Sequence, residues 1–103
     1  MRLINPLDFK AARPWGALDV AKIDGATVRL HWTDRPYKWH TNDGAEVFVV
    51  VSGEVEMHYR EGGEEKVVRM RAGDIFLAEE GDAHFAEPVG EARVLVIERE
   101  GSV

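Results

Sequence analysis

The sequence predicts an all-β domain, a small sandwich or barrel. Two observations carry this. Short β-branched and aromatic runs recur at close spacing between turn residues, and ten glycines and four prolines are spread so that few stretches can host a long helix. The length of 103 residues sets the scale at one domain with one core.

Taken in order, Leu7–Ala12 can form a turn of helix that Arg13-Pro14-Trp15-Gly16 ends. Residues 1–16 form an N-terminal segment, a candidate for crossing to a neighbouring subunit, and residues 17–103 form the barrel. Leu18–Ile23 partly alternates and turns at Asp24-Gly25, Thr27–Trp32 alternates again, and Asp34-Arg35-Pro36 breaks it. Glu46–Val51 is nearly all apolar, the pattern of a strand buried on both faces. Glu54–Arg60 and Glu65–Met70 flank the hairpin signal Gly62-Gly63. Asp74–Ala78, Ala83–Glu87 and Ala92–Arg99 complete the set, with Pro88 and Gly90 fitting a type I turn between the last two.

Composition excludes several functions. Thirteen basic and nineteen acidic residues leave a net charge of −6, which argues against nucleic acid or an anionic membrane as the main partner. The longest apolar run, Val47–Val51, is far short of a membrane span. The first residues hold no apolar stretch of signal-peptide length, so a cytoplasmic protein is expected. The chain has no cysteine, so a bound transition metal must use histidine and carboxylate ligands.

Four histidines stand at positions 31, 40, 58 and 84. His40 opens a run through Asn42, Asp43-Gly44 and Glu46 to Gly53, and a second run goes from Gly73 through Gly81 to His84. In a small barrel, alternate strand residues face inward, so Glu46, Phe48 and Val50 share a face. An inward Glu46 must be neutral, hydrogen-bonded or bound to a cation, because an unpaired buried charge is costly. His40 and His84 are its natural partners.

These two runs resemble the motifs of the cupin superfamily. The first family motif has His-x-His, a spacer, Glu, six residues and Gly; here it is His40-x-Asn42, Glu46 and Gly53. The second has Gly, five residues, Pro-x-Gly, two residues, His, three residues and Asn; here it is Gly73, Glu79-x-Gly81, His84 and Pro88. The resemblance spans about Ala17 to Glu98 and is nearest to small single-domain cupins. It implies the jelly-roll β-barrel (double-stranded β-helix) of two antiparallel sheets, and usually a homodimer. It also implies a divalent metal, Fe, Mn, Ni or Zn, held by His40, Asn42, Glu46 and His84.

The departures matter as much. Asn42 replaces the second imidazole, and its amide oxygen is a weaker donor to these metals. The remaining two histidines and one carboxylate have the composition of a facial triad suited to Fe(II). Two readings follow. Either a metal in the barrel acts on a small molecule, or the metal site is vestigial and the barrel is a non-catalytic ligand-binding or sensor module. Metal-free acid–base chemistry, with His40 or His84 as base and Tyr59 or Tyr37 assisting, is a third. A basic cleft for phosphate-bearing substrates needs Arg29, Lys38, Arg60 or Arg93 to face inward. His31 and His58 are expected on the surface or a strand face, unless one replaces the missing ligand. Trp32, Trp39, Phe48, Phe76 and Phe85 are candidates to line a pocket, with Trp39 directed toward solvent or a neighbouring subunit. Glu79-Glu80-Asp82 is expected as a solvated loop or a gate at the barrel mouth.

Overall fold

The computed structural model describes residues 1–102; Val103, the last residue of the expected barrel domain, lies outside them. A 3₁₀ turn covers Pro6–Asp8, capped by Asn5, whose side chain accepts from the Leu7 amide. It is shorter than the expected helical turn because Pro6 occupies its start and Phe9 is already extended. Seven strands follow: β1 Gly16–Ile23, β2 Ala26–Thr33, β3 His40–Thr41, β4 Glu46–Glu61, β5 Glu64–Arg71, β6 Ile75–Ala78 and β7 Ala83–Arg99.

β4 and β7 are each long enough to serve two sheets. The first half of β4 pairs with the last half of β7, Glu46 opposite Glu98 through Val50 opposite Val94. β2 and then β1 continue that sheet on one side, and β6 closes it on the other. The second half of β4 pairs with the first half of β7, Glu54 opposite Val89 through Tyr59 opposite His84, between β5 and the short β3. All pairings are antiparallel. Two sheets sharing bent strands make the expected jelly roll.

The sequence predicts breaks at Ser52–Gly53 and Pro88–Glu91. Both are bends within a continuous strand, where the register slips. Gly53 has φ 77°, and a Cβ there would sit 2.4 Å from the Glu91 carbonyl oxygen. Only glycine allows this close approach of the two bent strands.

The core lies between the sheets, built from Phe48, Val50, Val55, Met57, Val94 and Val96 among others. Of the all-apolar run in β4, the face holding Phe48 and Val50 is buried, while Val47, Val49 and Val51 on the other face are only half-buried. That outer face continues across register partners to Leu77 and Ile75 on β6, which are 59% and 67% exposed. The N-terminal segment covers another part of the same face. Lys10 lies over the Trp32 ring, and Arg93, opposite Trp32, donates from Nε to the Phe9 carbonyl at 2.7 Å. No helix among the described residues is long and apolar enough to cross a membrane.

Candidate metal centre

Each expected ligand is delivered by a separate piece of the fold. Antiparallel pairing sets His40 on β3 directly opposite His84 on β7, and their rings lie 4.4 Å apart. Asn42 is held just beyond β3 by main-chain bonds to the loop before β7. Its amide donates to the Asp82 carbonyl at 2.8 Å, and its carbonyl accepts from the Gly81 amide at 2.9 Å. Gly81 has φ 90°, which explains the glycine at that position of the second motif. Glu46 begins β4 and points inward with Phe48.

The four side chains converge. Ligand atoms of His40, Glu46 and His84 all lie within 4.8 Å of one another. Nε2 of His84 is 3.0 Å from Oε1 of Glu46 and 2.8 Å from Oδ1 of Asn42. Asn42 Nδ2 donates to the Gly44 carbonyl at 3.2 Å and lies 3.4 Å from the same Glu46 oxygen. His84, Glu46 and Asn42 are buried, at 2%, 8% and 8% exposure.

This donor set fits a cation. A single proton on His84 Nε2 cannot lie along both short contacts at once, whereas a divalent ion can be shared by two oxygens and the imidazole. His40 Nδ1 lies 3.0 Å from the Lys38 carbonyl, so it carries the proton and leaves Nε2 as the free ligand atom. An imidazole anchored on a backbone carbonyl is the usual outer support of a metal-binding histidine. Nδ1 of His84, by contrast, is buried with no partner among the described residues. Burial pushes the Glu46 carboxyl up, but the hydrogen bond and charge of His84, then Asn42 and His40, together hold it below its usual value. Glu46 is therefore ionised, as a ligand must be.

The cluster opens into a cavity of about 240 Å³. Its apolar wall includes Trp15, Tyr37, Phe48 and Val96, and its polar wall includes Arg29, His31 and Glu98. Glu98, opposite Glu46 on β7, is pushed up to about 7 by burial and then by the negative charge of Glu46 and Asp43. Arg29 is partly neutralised by Asp19, Nε to Oδ1 at 2.8 Å.

Several expectations are corrected here. His31, expected on the surface or a strand face, lies on the face of β2 that lines the cavity, and its Nδ1 bonds the Trp15 carbonyl. His58 does face away, pairing with Glu87 at 3.1 Å and stacking on Phe85. Of the five aromatics named as pocket candidates, only Phe48 lines the cavity. Trp32 lies under the N-terminal segment, and Trp39 packs between Phe85 and Arg60. Tyr59 packs on Phe76 outside the cavity lining. Arg29 is the one inward member of the four basic candidates among the described residues, so no basic cleft forms. Trp15 and Glu98 were missed. Trp15 sits in a turn of irregular sequence, and Glu98 ends a strand after the last motif, where nothing local marks it as inward.

The fold and this cluster define a cupin. Residues 27–98 match the cupin domain family, and the chain belongs to that family. None of the curated proteins matches it. It is similar in structure to a cupin-2 domain containing protein from Shewanella frigidimarina, with 22% identity, 95% of each chain covered and a TM-score of 0.80. A cupin superfamily protein from Desulfitobacterium hafniense is 13% identical over 96% of this chain and 90% of that one, with a TM-score of 0.79. A hydroquinone 1,2-dioxygenase from Sphingomonas sp. TTNP3, solved with 4-hydroxybenzoate bound, is 18% identical over 87% and 68%, with a TM-score of 0.76. At these identities the likeness is one of fold.

Proposed function

We propose that the barrel holds a divalent metal ion on His40, Glu46 and His84, with the Asn42 amide oxygen as a fourth donor, and that it acts on a small molecule bound beside it. The convergence of Asn42 Oδ1 and Glu46 Oε1 on His84 Nε2 carries this reading. A divalent ion held there supplies Lewis acidity, and a redox-active one can also engage dioxygen; Fe, Mn, Ni and Zn all suit the ligands. The protein's own part is to fix the two rings, keep Glu46 ionised and surround the site with an apolar wall. A cavity of about 240 Å³ suits a metabolite smaller than drug-sized ligands.

Elemental analysis of tag-free protein, as isolated and after anaerobic reconstitution, tests the reading. About one metal per chain is expected, and a negligible content after reconstitution overturns it. One observation favours a second reading, a metal-free binding barrel. Asn42 already joins His84, Glu46 and Gly44 in a hydrogen-bonded network that needs no ion. On that reading a ligand's thermal stabilisation survives chelation.

The open apolar face around Ile75, Leu77, Val47 and Val49 supports a homodimer, because a second copy would bury it isologously. Sedimentation of wild type and of Ile75→Lys/Leu77→Lys tests this: a dimer that the double variant dissociates is expected, and a monomeric wild type counts against it. The negative charge and the absence of cysteine accord with a cytoplasmic protein that binds neither nucleic acid nor membrane.

A further inference from the structure

Beside the metal cluster, the cavity holds a histidine whose protonation the backbone dictates. His31 Nδ1 lies 3.0 Å from the Trp15 carbonyl oxygen. A carbonyl only accepts, so Nδ1 carries the proton, and Nε2 of the neutral ring is left as an acceptor. Nε2 has no hydrogen-bond partner among the described residues, nor is it a sealed core atom, and the ring lines the cavity. Burial pushes the ring below its ordinary pKa, against the pull of the Trp15 carbonyl, with the Arg29 charge assisting. The charges of Glu46 and Asp19 oppose that shift without reversing it.

The Trp15 carbonyl is itself clamped. Trp15 has φ 62°, its amide donates to the Trp32 carbonyl at 2.9 Å, and its indole Nε1 donates to the Arg35 carbonyl at 2.8 Å. A tryptophan stays in the left-handed region only where its surroundings over-determine it. The same residue supplies the cavity's aromatic wall, in edge contact with His31 and Tyr37.

The remaining polar groups decide what this acceptor is for. Outside the metal cluster, Glu98 is pushed up to about 7 and is therefore not a fixed anion near neutral pH, and Arg29, the one permanent cation in the lining among the described residues, is paired with Asp19. The walls outside the metal cluster therefore hold no unpaired cation to receive an anion, and Nε2 of His31 asks for a hydrogen-bond donor.

We propose that His31 anchors the substrate, its Nε2 accepting a hydrogen bond from a hydroxyl group, and that the cavity takes small uncharged hydroxylated molecules in preference to carboxylates or phosphates. The inference rests on the reading that the cavity is the small-molecule site, and it does not require the metal.

The test uses 4-fluorophenol, 4-fluoroanisole and 4-fluorobenzoate, with ¹⁹F NMR, on chelator-treated and on zinc-loaded protein. Long-range ¹H–¹⁵N spectra report the His31 tautomer directly. The expected results are an Nδ1-protonated His31 and phenol binding about two- to twelvefold tighter than anisole, the worth of one hydrogen bond. Benzoate should bind more weakly than phenol. His31→Asn keeps an N–H for the Trp15 carbonyl but removes the acceptor at Nε2, so the phenol preference should vanish while the melting temperature changes little. An Nε2-protonated tautomer, a preference for benzoate, or phenol binding no tighter than anisole in wild type overturns the proposal without relying on the variant. So does a phenol preference that needs zinc and persists in His31→Asn, since the metal would then hold the hydroxyl. Zinc uptake that fails while the phenol preference stands rejects only the metal reading.

Discussion

His84→Ala separates the metal-site reading from the hydrogen-bonded one. The ring is 2% exposed and serves both Glu46 and Asn42. Without metal, its loss leaves the buried Glu46 carboxylate short of its main partner, which costs about 1–3 kcal/mol. With metal, the comparison is sharper. At a free ion concentration 100 times the dissociation constant, wild type gains about 2.7 kcal/mol. At about 4–8 °C per kcal/mol for a domain near this size, that raises Tm by roughly 11–22 °C. Removing a supporting residue around a metal costs about 10–100-fold in affinity, and removing a ligand should cost at least the upper figure. At the same ion concentration the variant then gains no more than about 0.4 kcal/mol. The assay is a thermal melt of tag-free protein with and without chelator, paired with metal content. A variant that keeps one ion per chain and the full metal-dependent shift would refute the assignment of His84 as a ligand. A wild type with no shift would refute the site.

Three further outcomes are expected. Asn42→His restores a second imidazole next to His84 and should tighten zinc or nickel binding, read by competition with a chelator; unchanged affinity would mean position 42 lies outside the coordination sphere. Gly53→Ala must accept φ 77° and a Cβ 2.4 Å from a carbonyl oxygen, so chemical denaturation should show a loss of at least about 1–2 kcal/mol, and a neutral result would mean that the bend relaxes cheaply. His31 has a folded pKa below its usual 6.5, so the unfolded chain takes up the proton first as pH falls. Stability from this group is whole above about 6.5 and declines below it. Chelated wild type should therefore lose more stability than His31→Asn between pH 7.5 and 5.5, and parallel losses would show that His31 is not buried in its neutral form.

Much of the fold and the candidate metal cluster were legible in the chain, while most of the cavity lining was not. Strand positions follow from β-branched runs cut by glycine and proline, because the local backbone preference and the turn requirement act over a few residues. The candidate ligand set His40, Asn42, Glu46 and His84 came from motif spacing, and spacing survives because it is the pairing of β3 with β7 and the start of β4 that it encodes. The two strand bends were harder to see. A glycine that lets a strand cross between sheets looks locally like one that ends a strand, and only the pairing of β4 with β7 on both sides of Gly53 distinguishes them.

What the tertiary structure alone decided is which face of each strand points inward. In β2 the alternation is plain, with Val28, Leu30 and Trp32 on one face and Arg29 and His31 on the other. Elementary patterning sends the apolar face to the core. Here the polar face lines the cavity, and the N-terminal segment covers Trp32 on the apolar one. Period-2 patterning reports that two faces differ, but not which of them a distant segment will cover. His31, Glu98 and the strained Trp15 therefore became site residues only when the chain closed, while the acidic charge, the absence of cysteine and the spacing of the ligands were fixed before it folded.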